Sequence, residues 1–162
     1  MTKRLTTMAL LTAVALILFL VEAQLPAPIP VPGVKLGLAN IITVYAVFRL
    51  GSKEALAILV ARVLLGSIFA GQMMVLFYSM AGGLLCWAAM SAIRRVVTPR
   101  QIWVCSVVGA IAHNLGQIGV AIAITQTPLL ITYLPVLLIS GVVCGLFTGL
   151  CAQFVIQRLD KK

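Results

Sequence analysis

The chain has 162 residues, of which 62% are hydrophobic and 9% are charged, and its mean hydropathy is +1.17. A soluble domain usually carries about 25% charged residues. The composition therefore excludes a water-soluble globule and predicts a polytopic membrane protein. The net charge of +9 does not indicate nucleic-acid binding, because the basic residues lie between apolar runs and form no basic stripe.

Apolar runs with short polar connections predict one membrane domain over residues 1–162, an all-α integral membrane protein with a bundle of six transmembrane helices. The first helix is expected at about 5–22, followed by a proline-rich loop at 23–34. The others are expected at about 35–50, 53–70, 73–93, 101–124 and 130–157. The first run also fits a signal peptide with a cleavage site near Glu22, but a multi-span chain seldom needs its first span removed.

Lysine and arginine are distributed unevenly over the two sides that six helices create. Ten of the twelve lie on one side, Lys35 lies on the other, and Arg62 lies within the third helix. Positive residues concentrate in cytoplasmic connections. We therefore expect a multi-pass membrane protein, with both termini in the cytoplasm and the proline-rich loop outside.

The proline-rich loop combines alternating prolines with a single cation, Lys35. Proline has no backbone N–H and a fixed φ, so this loop is predicted to be a stiff extended ribbon. A rigid segment that leads a charge into a membrane bundle indicates a binding site. We expect the loop to act as a lid, formed by Pro28, Pro30, Pro32 and Gly33.

Polar side chains at membrane depth are costly and therefore indicate function. We expect a pocket beneath the lid, lined by Lys35, Asn40, Arg62, Gln72, Tyr78, His113, Asn114 and Gln117. Cations outnumber the single carboxylate at this level, Glu22, which favours an anionic or strongly hydrogen-bonding small molecule. The alternative is an internal network, in which Glu22 neutralises Arg62 and the amides hydrogen-bond between helices. His113 also suits a proton relay or a simple interhelical donor.

Small residues recur at four-residue spacing, which lets membrane helices approach closely. Gly141, Gly145 and Gly149 predict that the sixth helix packs inside the bundle. For Ala9 and Ala13, spacing alone favours internal packing over docking against another membrane subunit.

Signals of catalysis are missing from the sequence. There are three acidic residues in all, and no DDxxD-like cluster, Walker loop, HExxH or GxSxG motif occurs. Enzymes that act on diphosphates generally hold magnesium with clustered carboxylates. We therefore expect no catalytic residue, no metal site and no cofactor. The four cysteines are scattered in apolar runs, which predicts buried thiols rather than a disulfide framework.

Five segments carry a family resemblance: PGVKLGLANI, ARVLLGSIF, FYSMAGGLL, GAIAHNLGQ and LPVLLISGVVCGLFTG, at 32–41, 61–69, 77–85, 109–117 and 134–149. They resemble the Gx transporter family, whose members are often labelled heptaprenyl diphosphate synthase component I. That family is similar to the S components of energy-coupling factor (ECF) transporters. In those proteins six helices enclose an outward pocket, and the loop after helix one is the lid.

The resemblance implies a substrate-binding transport subunit of the bacterial inner membrane, for a small ligand linked to prenyl, quinone or flavin chemistry. It also implies that Ala9 and Ala13 dock against an energy-coupling membrane subunit with ATPases. The label implies the alternative of an accessory membrane subunit, with a polyprenyl synthase or an electron-transfer complex as partner. A third hypothesis is a structural scaffold, in which the polar residues only tie helices together.

Overall fold

A computed structural model describes residues 2–24, 37–71, 73–98 and 100–160, and within these ranges the chain forms helices and no strand. The α-helices are α1 (Thr2–Gln24), α2 (Asn40–Arg49), α3 (Ser52–Ala70), α4 (Met73–Ile93), α5 (Ile102–Thr125) and α6 (Leu134–Asp160). A 3₁₀ helix, Pro128–Tyr133, precedes α6. The all-α membrane bundle is confirmed. The lid residues Pro28, Pro30, Pro32 and Gly33, and the pocket residues Lys35 and Gln72, lie outside the described residues.

The helices differ in how well they suit a complete membrane span. Four segments are long and apolar enough: Thr2–Gln24, Leu76–Ile93, Ile102–Thr125 and Pro128–Leu159. Helix α3 has 19 residues but carries Lys53, Glu54 and Arg62. Helix α2 has ten residues, about 15 Å at the usual rise, which is about half of a hydrocarbon core. Of the six predicted helices, the second is therefore a half-length helix.

Helix α2 begins at Asn40 and not near residue 35, because the chain turns immediately before it. Gly37 has a φ of +70°, a left-handed conformation that glycine adopts without steric cost. The Asn40 and Ile41 N–H groups donate to the carbonyls of Gly37 and Leu38 at 2.8 and 3.1 Å. A tight turn thus replaces the first turns of the predicted helix.

The short helix α2 lies at the centre of the bundle and packs against all five other α-helices. Val44, Ala46 and Val47 are completely buried. They belong to one core with buried residues of the surrounding helices, which include Ile58, Met90, Cys105 and Ile156. Because α2 is only half as long as its neighbours, its N-terminus lies inside the bundle.

Helix α1 lies at the edge, and a polar contact holds its start to the α2–α3 turn. Arg4 Nη2 donates to the Leu50 carbonyl at 2.9 Å and pairs with Glu54 Oε1 at 2.7 Å. Such exposed pairs contribute about 0–1 kcal/mol. Ala9 and Ala13, further along α1, are exposed. Within the described bundle they do not pack internally, although their spacing alone favoured that arrangement.

Glycines let α6 lie directly against α5. A Cβ atom at Gly145 would lie 2.8 Å from Val107 Cα, and one at Gly149 would lie 2.6 Å from Trp103 Cα. Cβ atoms do not approach backbone atoms this closely, so any larger residue would push the helices apart. Internal packing of the α6 glycines is confirmed.

We expect Gly149→Ala to lower the free energy of unfolding by about 1–3 kcal/mol, the range of an overpacked core. The contacted atom belongs to the backbone and cannot rotate away. Gly119→Ala is the matched control, because Gly119 also lies in a helix and a Cβ there meets no atom within 4 Å. Unfolding of both variants in detergent measures the difference, and equal stability would contradict the close α5–α6 approach.

Candidate functional site

Helix α5 carries three polar residues on one part of its surface. His113, Asn114 and Gln117 lie within one turn of each other, so they share a face. His113 lies roughly 17 Å from the start of a helix that is roughly 36 Å long. The polar group is therefore close to the middle of an otherwise apolar span.

A cavity lies between α2, α5 and α6, at the level where α2 begins. Its volume is about 30 Å³, which is room for about two water molecules. The structure brings four of the predicted ligand residues together in its wall. The lining residues are Gly37, Asn40, Ala110, His113, Asn114, Gln117, Gly141, Cys144, Gly145 and Thr148.

Glycines on two neighbouring helices shape the space around this polar face. A Cβ at Gly141 of α6 would lie 2.7 Å from Asn114 Nδ2. A Cβ at Gly82 of α4 would lie 2.9 Å from His113 Nδ1 and 3.0 Å from Gln117 Cγ. Sequence reasoning missed Gly82. Its signal was the pair Gly82 and Gly83 in the middle of an apolar helix, where glycine is costly without a packing reason.

Asn114 connects the cavity wall to α6. Its Nδ2 atom donates to the Leu137 carbonyl at 2.6 Å, and Ser140 Oγ donates to the same oxygen at 3.0 Å. A hydrogen bond between membrane helices is the role that the internal-network alternative assigns to this amide. The bond fixes the Asn114 carboxamide at the cavity wall.

Glu22, at the end of α1, binds the turn that precedes α2. Its two carboxylate oxygens accept hydrogen bonds from the Gly37 N–H and, at 3.1 Å, from the Leu38 N–H. N–H groups at a helix start have no partner within the helix, and the helix dipole favours a negative charge there. Glu22 therefore positions the turn that contributes Gly37 and Asn40 to the cavity wall.

Arg62 lies on α3 behind this contact and is only 5% exposed. Its guanidinium and the Glu22 carboxylate attract each other electrostatically, and its Nε atom has no hydrogen-bond partner among the described residues. Arg62 does not line the cavity, and neither does Tyr78, which is half-buried on α4. Among the described residues, Arg62 is electrostatically attracted by Glu22 and is not part of the cavity wall.

The chemistry of the cavity wall is polar and carries no fixed charge. Among the described lining residues there is no Lys, Arg, Asp or Glu. Carboxamide groups both donate and accept hydrogen bonds. Thr148 adds a hydroxyl, which lies 3.1 Å from Ser106 Oγ, and sequence reasoning missed it because a single threonine in an apolar helix gives no signal. The wall is suited to a group that exchanges hydrogen bonds.

Comparison with known proteins identifies one family. The model of the family described as heptaprenyl diphosphate synthase component I matches residues 11–155. No curated protein and no solved structure matches the chain. The matched range contains every described lining residue of the cavity.

Proposed function

The chain belongs to the heptaprenyl diphosphate synthase component I family, and from that premise we propose that it is a membrane subunit that binds and transports a small ligand. The ligand site is the cavity between α2, α5 and α6. The observation that carries the proposal is the meeting of Asn40, His113, Asn114 and Gln117 at this cavity. Polar groups at membrane depth are costly, and they mark substrate pathways by default.

The half-length α2 supports a transport role. Many transporters place their substrate at the end of a helix that stops near the bilayer midplane. The turn before α2 ends at the cavity in the same way, with Gly37 and Asn40 in the wall. With both termini cytoplasmic, as the loop charges favour, the site opens outward. Lys35 and Gln72 then belong to its mouth and the proline-rich loop to its lid.

The position of α1 at the edge of the bundle leaves it accessible to a partner subunit. Ala9 and Ala13 are exposed on this helix, and small residues at this spacing let another membrane helix approach closely. The proposed partner is an energy-coupling membrane subunit with ATPases, as in the S components of ECF transporters. Its ATPases would supply the energy for transport.

We expect a small molecule to remain bound to gently purified protein, and Asn114→Ala to retain at least about tenfold less of it, a loss near 1.4 kcal/mol of binding. The variant removes an amide from the cavity wall. Ser140→Ala is the matched control, because Ser140 donates to the same Leu137 oxygen without lining the cavity. Mass spectrometry of the extract measures the amount of bound molecule. Equal amounts in both variants would show that the ligand does not bind at the assigned site.

The family description favours a second candidate, an accessory subunit of a heptaprenyl diphosphate synthase. This candidate requires stable association with a soluble polyprenyl synthase that supplies the acidic motifs this chain lacks. Adding the membrane subunit to that synthase would then change the length of its product. A synthase that neither binds the subunit nor changes its product excludes this candidate and leaves the transport proposal standing.

A further inference from the structure

The described wall of the cavity offers hydrogen bonds without charge. The polar side chains among the described lining residues are those of Asn40, His113, Asn114, Gln117 and Thr148. Carboxamides and hydroxyls bind a neutral polar group with both donors and acceptors. A charged group in the same place would lose its hydration without gaining a counter-charge from the described wall, which costs several kcal/mol.

Among the described residues, the positive features near the cavity already interact with Glu22. The N–H groups of Gly37 and Leu38, in the turn before α2, would otherwise suit an anion, but they donate to Glu22. The Arg62 guanidinium is attracted by the same carboxylate. An incoming anion would have to displace Glu22 from these donors, and two negative groups would then compete for one buried cation.

The small volume of the cavity, like its lack of charge, favours a small neutral group over a diphosphate. A volume of about 30 Å³ accommodates a group comparable to one or two water molecules. A complete small-molecule pocket measures about 300–1,000 Å³. A hydroxyl or carbonyl group fits this space, whereas a diphosphate is several times too large.

The family description points to isoprenoid chemistry. From it and from the charge and size of the cavity, we infer that the cavity accepts the uncharged hydrogen-bonding head group of an isoprenoid ligand, an alcohol or a carbonyl, and excludes a prenyl diphosphate. The inference rests on the proposed ligand site. The inference restricts the ligand from an anionic or polar small molecule to one with a neutral head group. The isoprenoid tail lies outside the cavity, against the apolar surfaces of the helices.

Farnesol and farnesyl diphosphate test this inference, because they share one tail and differ only in the head group. Each is added to the purified full-length protein in detergent, and the shift of the unfolding temperature is followed with concentration. We expect farnesol to bind with an apparent dissociation constant at least about tenfold below that of the diphosphate. Asn114→Ala should lose the farnesol shift, and Ser140→Ala should keep it.

The possible results separate the inference from the proposed function. A diphosphate that binds equally well or better, and loses its shift in Asn114→Ala, overturns the neutral head group but supports the ligand site. If neither compound shifts the unfolding temperature, the inference that the cavity binds an isoprenoid head group is wrong. The identity of the co-purified molecule still tests the proposed function. Farnesol binding that Asn114→Ala does not change overturns the assignment to this cavity.

Discussion

Glu22→Ala is expected to lower the free energy of unfolding by about 1–3 kcal/mol for each backbone donor that it leaves without an acceptor. The half-buried Gly37 and Leu38 N–H groups both donate to this carboxylate. The Arg62 guanidinium, which is 5% exposed, also loses the electrostatic attraction of Glu22. Unfolding of the purified variant by heat or denaturant measures the loss.

The double variant Glu22→Gln with Arg62→Met separates charge compensation from general damage. It removes both charges and leaves an amide oxygen that still accepts a backbone hydrogen bond. We expect it to be more stable than the sum of the two single changes predicts, by about 0.5–3 kcal/mol. Strictly additive losses would show that Glu22 and Arg62 do not depend on each other.

Cysteine labelling from outside the cell is expected to give an all-or-none difference between the two sides of the bundle. The four native cysteines are first replaced, and single cysteines are then introduced as Thr127→Cys and Thr98→Cys. Both threonines are exposed and lie in connections between helices, which makes them a matched pair. With the cation-rich connections in the cytoplasm, an impermeant maleimide should label position 127 in intact cells.

Position 98 should react only after the membrane is permeabilised. The opposite labelling pattern would show that the protein has the reverse orientation in the membrane, with the cavity open to the cytoplasm. Labelling of both positions in intact cells would show that the bundle does not cross the membrane as proposed. Either result would contradict uptake from outside, although the geometry of the cavity would be unchanged.

Local sequence patterns predict the parts of the site that lie within a single helix. His113 and Gln117 are one turn apart, so their common face follows from helix geometry alone. The α6 glycines follow from their spacing in the same way. The two patterns meet in the structure. A Cβ atom at Gly141 of α6 would lie 2.7 Å from Nδ2 of Asn114, which belongs to the polar face of α5.

Contacts between distant segments explain what the sequence does not predict. The apolar pattern continues through residues 35–40, but Glu22, 15 residues away from Gly37, takes the N–H groups that a longer helix would use. Arg62 was assigned to the pocket because of its depth, whereas depth does not determine which neighbour a side chain faces. Gly82 contacts His113 because of how α4 crosses α5, and periodicity carries no information about that crossing.

An experimental structure of the protein with its co-purified ligand tests the central claim most directly. The account predicts a bound small molecule whose uncharged head group hydrogen-bonds to Asn114 or His113 in the cavity between α2, α5 and α6. Glu22 should remain on the Gly37 and Leu38 N–H groups in that complex. A ligand bound elsewhere, or a cavity that is empty while the protein retains a small molecule, would contradict it.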